Sequence, residues 1–217
     1  MIKAIIFDFD GVLLESANIK SEAFRELFAD AGSAAEAVLA YHKANAGVPR
    51  LQKLERIYSE ILKQPVTQPE LTGLCEKFGK LVLEKVKAAP FVPCAEDFLR
   101  SNSNKYAFYI ASAAPKAEVD EVVAARGLGR WFCGVYGFPV SKANAIADVL
   151  RATSLSAKEI VFVGDARADY DAASAAGLWF IARVANAPDV FSDLKVHKLR
   201  DLNELGAAVV GIQETEA

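Results

Sequence analysis

The stretch Ile2-Lys3-Ala4-Ile5-Ile6-Phe7-Asp8-Phe9-Asp10-Gly11 decides the fold. Residues 2–7 form a short run rich in Ile and Phe that stops in acidic residues and a glycine. An apolar run closed by polar residues is the pattern of a strand buried on both faces, as in a parallel sheet. Runs of the same kind recur at residues 106–111 (YAFYIA), 134–138 (GVYGF), 160–163 (IVFV) and 178–182 (LWFIA). Helical patterns at residues 116–126, 142–153 and 168–176 separate them. Strands alternating with helices imply βαβ units, and so an α/β fold: a Rossmann-like open parallel sheet covered on both faces.

Residues 16–88 break this alternation. Leu51, Leu54, Ile57, Tyr58, Ile61 and Leu62 share one helical face, as do Leu71, Leu74, Cys75, Phe78, Leu81 and Val82. An earlier helix carries Ile19, Ala23, Phe24, Leu27 and Phe28, and breaks fall at Gly32, at residues 46–49 and at residues 64–69. The expected organisation is a core of residues 1–15 and 89–217, with a small all-helical cap of four helices over residues 16–88.

Composition excludes several classes of function. The 217 residues are 53% apolar and 24% charged, so the chain can bury one good core beside a smaller module. A net charge of -3, with Lys and Arg scattered, gives no basis for binding nucleic acid or an anionic membrane. Cys75, Cys94 and Cys133 form no C-x-x-C pair, which suggests neither a zinc site nor a disulfide framework. The N-terminus lacks the apolar stretch of a signal peptide, and no segment approaches the roughly 20 apolar residues that span a bilayer. A cytoplasmic protein, monomer or homodimer, is expected.

In open α/β sheets, ligands bind beyond the carboxyl ends of the strands, so the residues after each strand matter most. These are Asp8 and Asp10, then Ser112, then Lys142 at a helix start, then Gly164-Asp165 with Asp169 four residues on. Together they are an inventory for handling phosphate. Like charges about 4 Å apart repel by about 4 kcal/mol at an effective dielectric near 20, so four clustered carboxylates call for a cation. Oxygen-only ligands suit Mg²⁺, and no His or Cys stands near these positions to favour zinc.

Asp8-Phe9-Asp10-Gly11-Val12-Leu13 resembles the first signature of the haloacid dehalogenase superfamily. Ser112, Lys142 and Gly164-Asp165-x-x-x-Asp169 are similar to its second, third and fourth motifs, in the same order. The resemblance spans nearly the whole chain. The position of the helical insertion is similar to that of the phosphoglycolate phosphatase and β-phosphoglucomutase branch.

The resemblance implies a Mg²⁺-dependent phosphatase that forms an aspartyl-phosphate on Asp8, with Asp10 as general acid and then base. It implies metal ligation by Asp8, Asp165 and the backbone carbonyl of Asp10, with Asp169 supporting the ion directly or through water. Gly11, Ser112, the backbone N–H of Ala113 and Lys142 would meet the phosphoryl group, Lys142 balancing its charge. Ala166 stands where the fourth motif often has Ser, which removes one hydroxyl near the metal.

Within the cap, Gly47-Val48-Pro49-Arg50 resembles a substrate-contacting loop. Arg50 either binds a substrate carboxylate or second phosphate, or faces solvent at a helix start. Lys53 is expected in solvent, His42 and His197 in structural roles, and Trp131, Phe132 and Trp179 in the core. The implied partner is a small phosphorylated metabolite, phosphoglycolate or a sugar phosphate. A β-phosphoglucomutase-like phosphotransferase would use the same four motifs; a catalytically idle phosphate-binding regulatory module is the other alternative, against which stand Asp10 and the cap, since such a module needs neither.

Overall fold

A computed structural model describes residues 1–185 and 188–214, with side chains to residue 212. Six parallel strands form one sheet: β1 (Ala4–Phe7), β2 (Ala107–Pro115), β3 (Phe132–Phe138), β4 (Ile160–Gly164), β5 (Trp179–Arg183) and β6 (His197–Leu199). Their order is β3-β2-β1-β4-β5-β6. The first strand is therefore interior, hydrogen-bonded to β2 with Ile5 opposite Phe108 and to β4 with Ile5 opposite Val161. All four of its residues are buried.

Period-two alternation along these strands divides the apolar residues between two layers. Ile5, Phe7, Phe108, Ile110, Val161 and Val163 face one cluster. Ala4, Ile6, Tyr109, Ala111, Ile160 and Phe162 face the other, with Ile146 and Val149. Helices α6 (Lys116–Ala125), α7 (Lys142–Thr153) and α8 (Arg167–Ala175) supply the crossovers that parallel pairing requires. Phe7 packs edge-on against Phe108 at 5.6 Å, in a site with no solvent exposure. Replacing it with Ala would cost about 3–5 kcal/mol.

Between β1 and β2 lie α1 (Ala17–Leu27), α2 (Ala35–Ala44), α3 (Arg50–Arg56) and α4 (Gln68–Ala88), followed by α5 (Ala95–Asn102). Helix α3 widens into π-helical turns over Ile57–Leu62 and stops at Lys63, whose φ is 52°. Helix α4 opens on a capping box, Thr67 accepting from Glu70 N–H while the Glu70 carboxylate accepts from Thr67 N–H. The buried faces of these helices, with Phe24, Val38, Leu54, Ile57, Leu71, Phe78 and Val82, continue the first apolar layer without a break. No strand falls within residues 17–88.

Several features depart from the sequence reading. Ser112 lies inside β2, which runs on to Pro115 with a register shift after Ala111, rather than after the strand. Helix α5, the sixth strand, His197–Leu199, and the last helix α9 (Leu205–Glu214) had no counterpart in the pattern. Three residues at a sheet edge, two of them exposed, are too few to show a period. Among the described residues, no helix is long and apolar enough to cross a membrane.

Candidate active site

The chain moves outward from β1 through β2 to β3, then crosses back to place β4 on the other side of β1. Such a reversal opens a crevice at the carboxyl ends of the strands, and Asp8 and Asp165 directly follow the two strands that border it. One oxygen from each of Asp8, Asp165 and Asp169 lies within 4.8 Å of the others. Lys142, first residue of α7, sets its Nζ 3.1 Å from Asp8 Oδ2 and in direct contact with Asp169 Oδ1. Ser141, as N-cap, starts α7 by accepting from Asn144 N–H, which fixes where Lys142 points.

Backbone groups hold these side chains. Asp8 Oδ1 accepts from Phe9 N–H at 2.7 Å, and Asp169 Oδ2 accepts from Ala166 N–H at 3.0 Å. Gly11 has φ +79°, and a methyl group there would stand 2.1 Å from Asp165 Oδ2. Only glycine lets the Asp165 carboxylate lie against this turn. Arg183 locks the same turn from behind, donating to the Gly11 carbonyl at 2.7 Å and forming a two-pronged pair with Glu15.

The electrostatics call for a cation. Burial pushes the Asp165 carboxyl well above the usual carboxylate range, and Asp8 and Asp169 push it further. Asp169, with no solvent exposure, is also raised by burial, the attraction of Lys142 opposing. Burial alone would lower the Lys142 ammonium, but Asp169 and Asp8 outweigh it and hold the group charged. One ammonium facing two of three clustered carboxylates leaves negative charge over, and no described side chain donates to Asp165. A divalent ion with oxygen ligands fits this donor set.

Asp10 is turned away from the cluster. Its Oδ1 accepts from Ser16 Oγ at 2.6 Å, and its Oδ2 pairs with Lys20 of α1. Ser112 is buried and its Oγ accepts from Ala114 N–H at 3.1 Å. Asp8, Asp10, Asp165, Ser112 and Ala113 border one cavity of about 950 Å³, whose opposite wall is built by the inserted helices. The loop before α3 roofs it: a methyl group on Gly47 (φ +77°) would come within 2.9 Å of Ala166 Cβ and 3.6 Å of Lys142 Nζ.

The sequence profile of the haloacid dehalogenase-like hydrolases matches residues 2–177, which contain every one of these carboxylates and Lys142. The chain belongs to this family. It is therefore a hydrolase-family enzyme with the family's α/β fold. Comparison with curated proteins finds no match.

Solved haloacid dehalogenase structures superpose over nearly the full length. A β-phosphoglucomutase from Clostridium difficile aligns with a TM-score of 0.80 at 20% identity, covering 99% of each chain. CbbY from Rhodobacter sphaeroides, solved in complex with phosphate, gives 0.77 at 19% identity, covering 98% of this chain and 100% of that one. A predicted phosphoglycolate phosphatase from Haemophilus somnus gives 0.76 at 20% identity, covering 96% and 98%. The shared fold includes the helical insertion, and these neighbours come from the branch that the position of that insertion suggested.

The hydrolase's other candidate residues fall unevenly. Gly11 borders a separate cavity of about 190 Å³ with Glu15, Asp165 and Arg183, not the large one. Arg50 does not face solvent: its side chain is 9% exposed, forms a bidentate pair with Glu118 and lies over the Phe78 ring at 4.4 Å. Lys53, expected in solvent, is 6% exposed because α3 turns it inward toward the cavity. His42 borders that cavity too, so it stands nearer the chemistry than its place in sequence suggested. His197 lies exposed on β6. Trp131, Phe132 and Trp179 are partly buried at the rim of the core rather than within it.

Lys20 and Arg183 were missed. A lysine ten residues past Asp10 and an arginine at a strand end carry no motif. Their roles arise from contacts 10 and 172 residues apart in sequence.

Proposed function

We propose that this hydrolase is a Mg²⁺-dependent phosphatase that cleaves small phosphate monoesters through an aspartyl-phosphate on Asp8. The observation that carries the reading is the convergence of Asp8, Asp165 and Asp169 within 4.8 Å at the sheet's switch point, with Lys142 Nζ 3.1 Å from Asp8 Oδ2. Mg²⁺ held by Asp8, Asp165 and the backbone carbonyl of Asp10, with Asp169 in support, supplies charge neutralisation for the phosphoryl oxygens.

An Asp8 carboxylate oxygen attacks phosphorus, the bond from phosphorus to the ester oxygen breaks, and Asp10 gives that oxygen its proton. Water then attacks the phosphorus of the aspartyl-phosphate while Asp10 takes the water's proton, releasing phosphate and restoring Asp8. Lys142 faces the charge that builds on Asp8 and the transferred group, and needs no reorganisation to do so. Ser112 Oγ and the Ala113 N–H donate to phosphoryl oxygens. Lys20 and Ser16 hold the Asp10 side chain at the cavity wall. The roof formed by residues 46–49 stands close over Ala166 and Lys142 and shields that side of the site from water.

The test is release of phosphate from a panel of phosphorylated metabolites, with and without Mg²⁺ and with excess EDTA. Hydrolysis that needs the metal supports the reading. Chelator-resistant hydrolysis contradicts it, and transfer of the phosphoryl group to a sugar hydroxyl makes the protein a phosphotransferase instead.

A further inference from the structure

The two walls of the large cavity carry opposite charge. Asp8, Asp10, Asp165 and Asp193 come from the sheet side, with Arg167 as its one cation among the described residues, and Lys20, Lys43, Arg50 and Lys53 from the inserted helices, so the net charges are opposite. Most of these cations are satisfied or open to water. Lys20 pairs with Asp10, Arg50 with Glu118, Arg167 with Asp193, and Lys43 is exposed.

Lys53 is different. It is 6% exposed, and among the described residues no carboxylate lies within ion-pair distance. Its Nζ stands 3.4 Å from His42 Nδ1 and 5.7 Å from the centre of the Phe24 ring. His42 is itself buried and stacked on Phe24 at 4.0 Å. Burying an ammonium without an anion costs several kcal/mol, and structures normally avoid it by pairing.

We propose that Lys53, backed by His42, binds an anionic group, a carboxylate or second phosphate, at the far end of the substrate whose phosphoryl end lies at Asp8. This assignment rests on the phosphatase reading for the position of the phosphoryl end. The cavity suits it: Asp8 and Lys53 both border it, and about 950 Å³ has room for a ligand of sugar-phosphate size. Arg50, the anion binder suggested by sequence, is already held by Glu118, which leaves Lys53 as the buried cation open to a ligand. Burial, then Lys20, Lys142 and Arg50, lower the Lys53 ammonium to about 7, and burial lowers His42 to about 3, so that the neutral imidazole can accept from Lys53. An arriving anion offsets that strain on the ammonium, and charge-assisted pairing of this kind is worth about 10- to 100-fold in affinity.

The probes are 6-phosphogluconate, glucose 1,6-bisphosphate and glucose 6-phosphate, whose far ends carry a carboxylate, a phosphate and no charge. The wild type should prefer one of the two anionic-tailed esters over glucose 6-phosphate by at least about 10-fold in kcat/KM. That preference should collapse in Lys53→Met through KM, and return in part in Lys53→Arg. Which ester is preferred separates carboxylate from phosphate. No preference in the wild type, or an equal loss on all three esters in Lys53→Met, overturns the proposal.

If the wild type hydrolyses none of them, the phosphatase reading fails on its own, and the anion site is judged by calorimetry. Binding of 6-phosphogluconate or glucose 1,6-bisphosphate that Lys53→Met weakens at least 10-fold supports it. Equal binding by both proteins, or none by the wild type, overturns it.

Discussion

Arg50 of α3 and Glu118 of α6 face each other in a two-pronged ion pair, Nη1–Oε1 at 2.9 Å and Nη2–Oε2 at 2.7 Å. The pair joins the inserted helices to the sheet domain, and Arg50 Nη1 also donates to the Cys75 carbonyl at 2.8 Å. It therefore acts as a latch for the roofed arrangement of the cavity. Glu118→Ala leaves a buried guanidinium unpaired and is expected to cost about 2 kcal/mol in urea unfolding. It should also speed hydrogen exchange in α3; unchanged stability and exchange would remove the latch.

The roof itself is testable through two glycines. Gly47 (φ +77°) and Gly32 (φ +56°) are both left-handed, but an added methyl meets Ala166 at 2.9 Å in the first case and nothing within 4 Å in the second. Both Ala variants carry backbone strain of about 1 kcal/mol. Only Gly47→Ala should also lower kcat/KM on a good substrate, by about 10-fold or more. Equal kinetic effects at the two positions would detach the roof from catalysis.

Lys142 stands between Asp8 and Asp169, and Lys142→Met removes the ammonium that offsets them. The expected outcome is a fall in kcat of about 10²- to 10³-fold with the fold retained in Mg²⁺, as for loss of a preorganised charge. Activity within a few-fold of wild type would show that the ion alone balances the site.

His42 gives a pH dependence of stability whose sign is fixed. Burial, then Lys53, Lys20 and Lys43, lower its pKa from 6.5 to about 3, so between these values the unfolded chain binds more protons than the folded one. Stability from this group is complete above about pH 6.5 and is lost as the pH falls toward 3. His42→Gln should flatten the fall in urea stability between pH 6.5 and 4.5. An identical slope in both proteins would place the titration elsewhere.

Much of this was legible in the linear chain where spacing is local. The run 2–7 ending in Asp8-Phe9-Asp10 predicts β1 and its carboxylates because burial on both faces leaves few alternatives to an apolar run. The breaks at Gly32, residues 46–49 and residues 64–69 separate the helices as expected, since glycine and proline act through their own backbone. Lys53 was misread for the opposite reason. A lysine three residues past Arg50 looks solvated until the tertiary fold decides which face of α3 meets the cavity. The Lys20–Asp10 and Arg183–Gly11 contacts were invisible for the same reason, being set by packing rather than by pattern.

The claim on which all the rest depends is that Asp8 attacks phosphorus. Rapid chemical quench during turnover with Mg²⁺, followed by mass spectrometry of the N-terminal peptide, measures this directly. The account predicts a phosphoryl group on Asp8 that forms and decays with turnover and is absent in Asp8→Asn. Turnover that continues in Asp8→Asn, or a phosphoryl group on another residue, would contradict it.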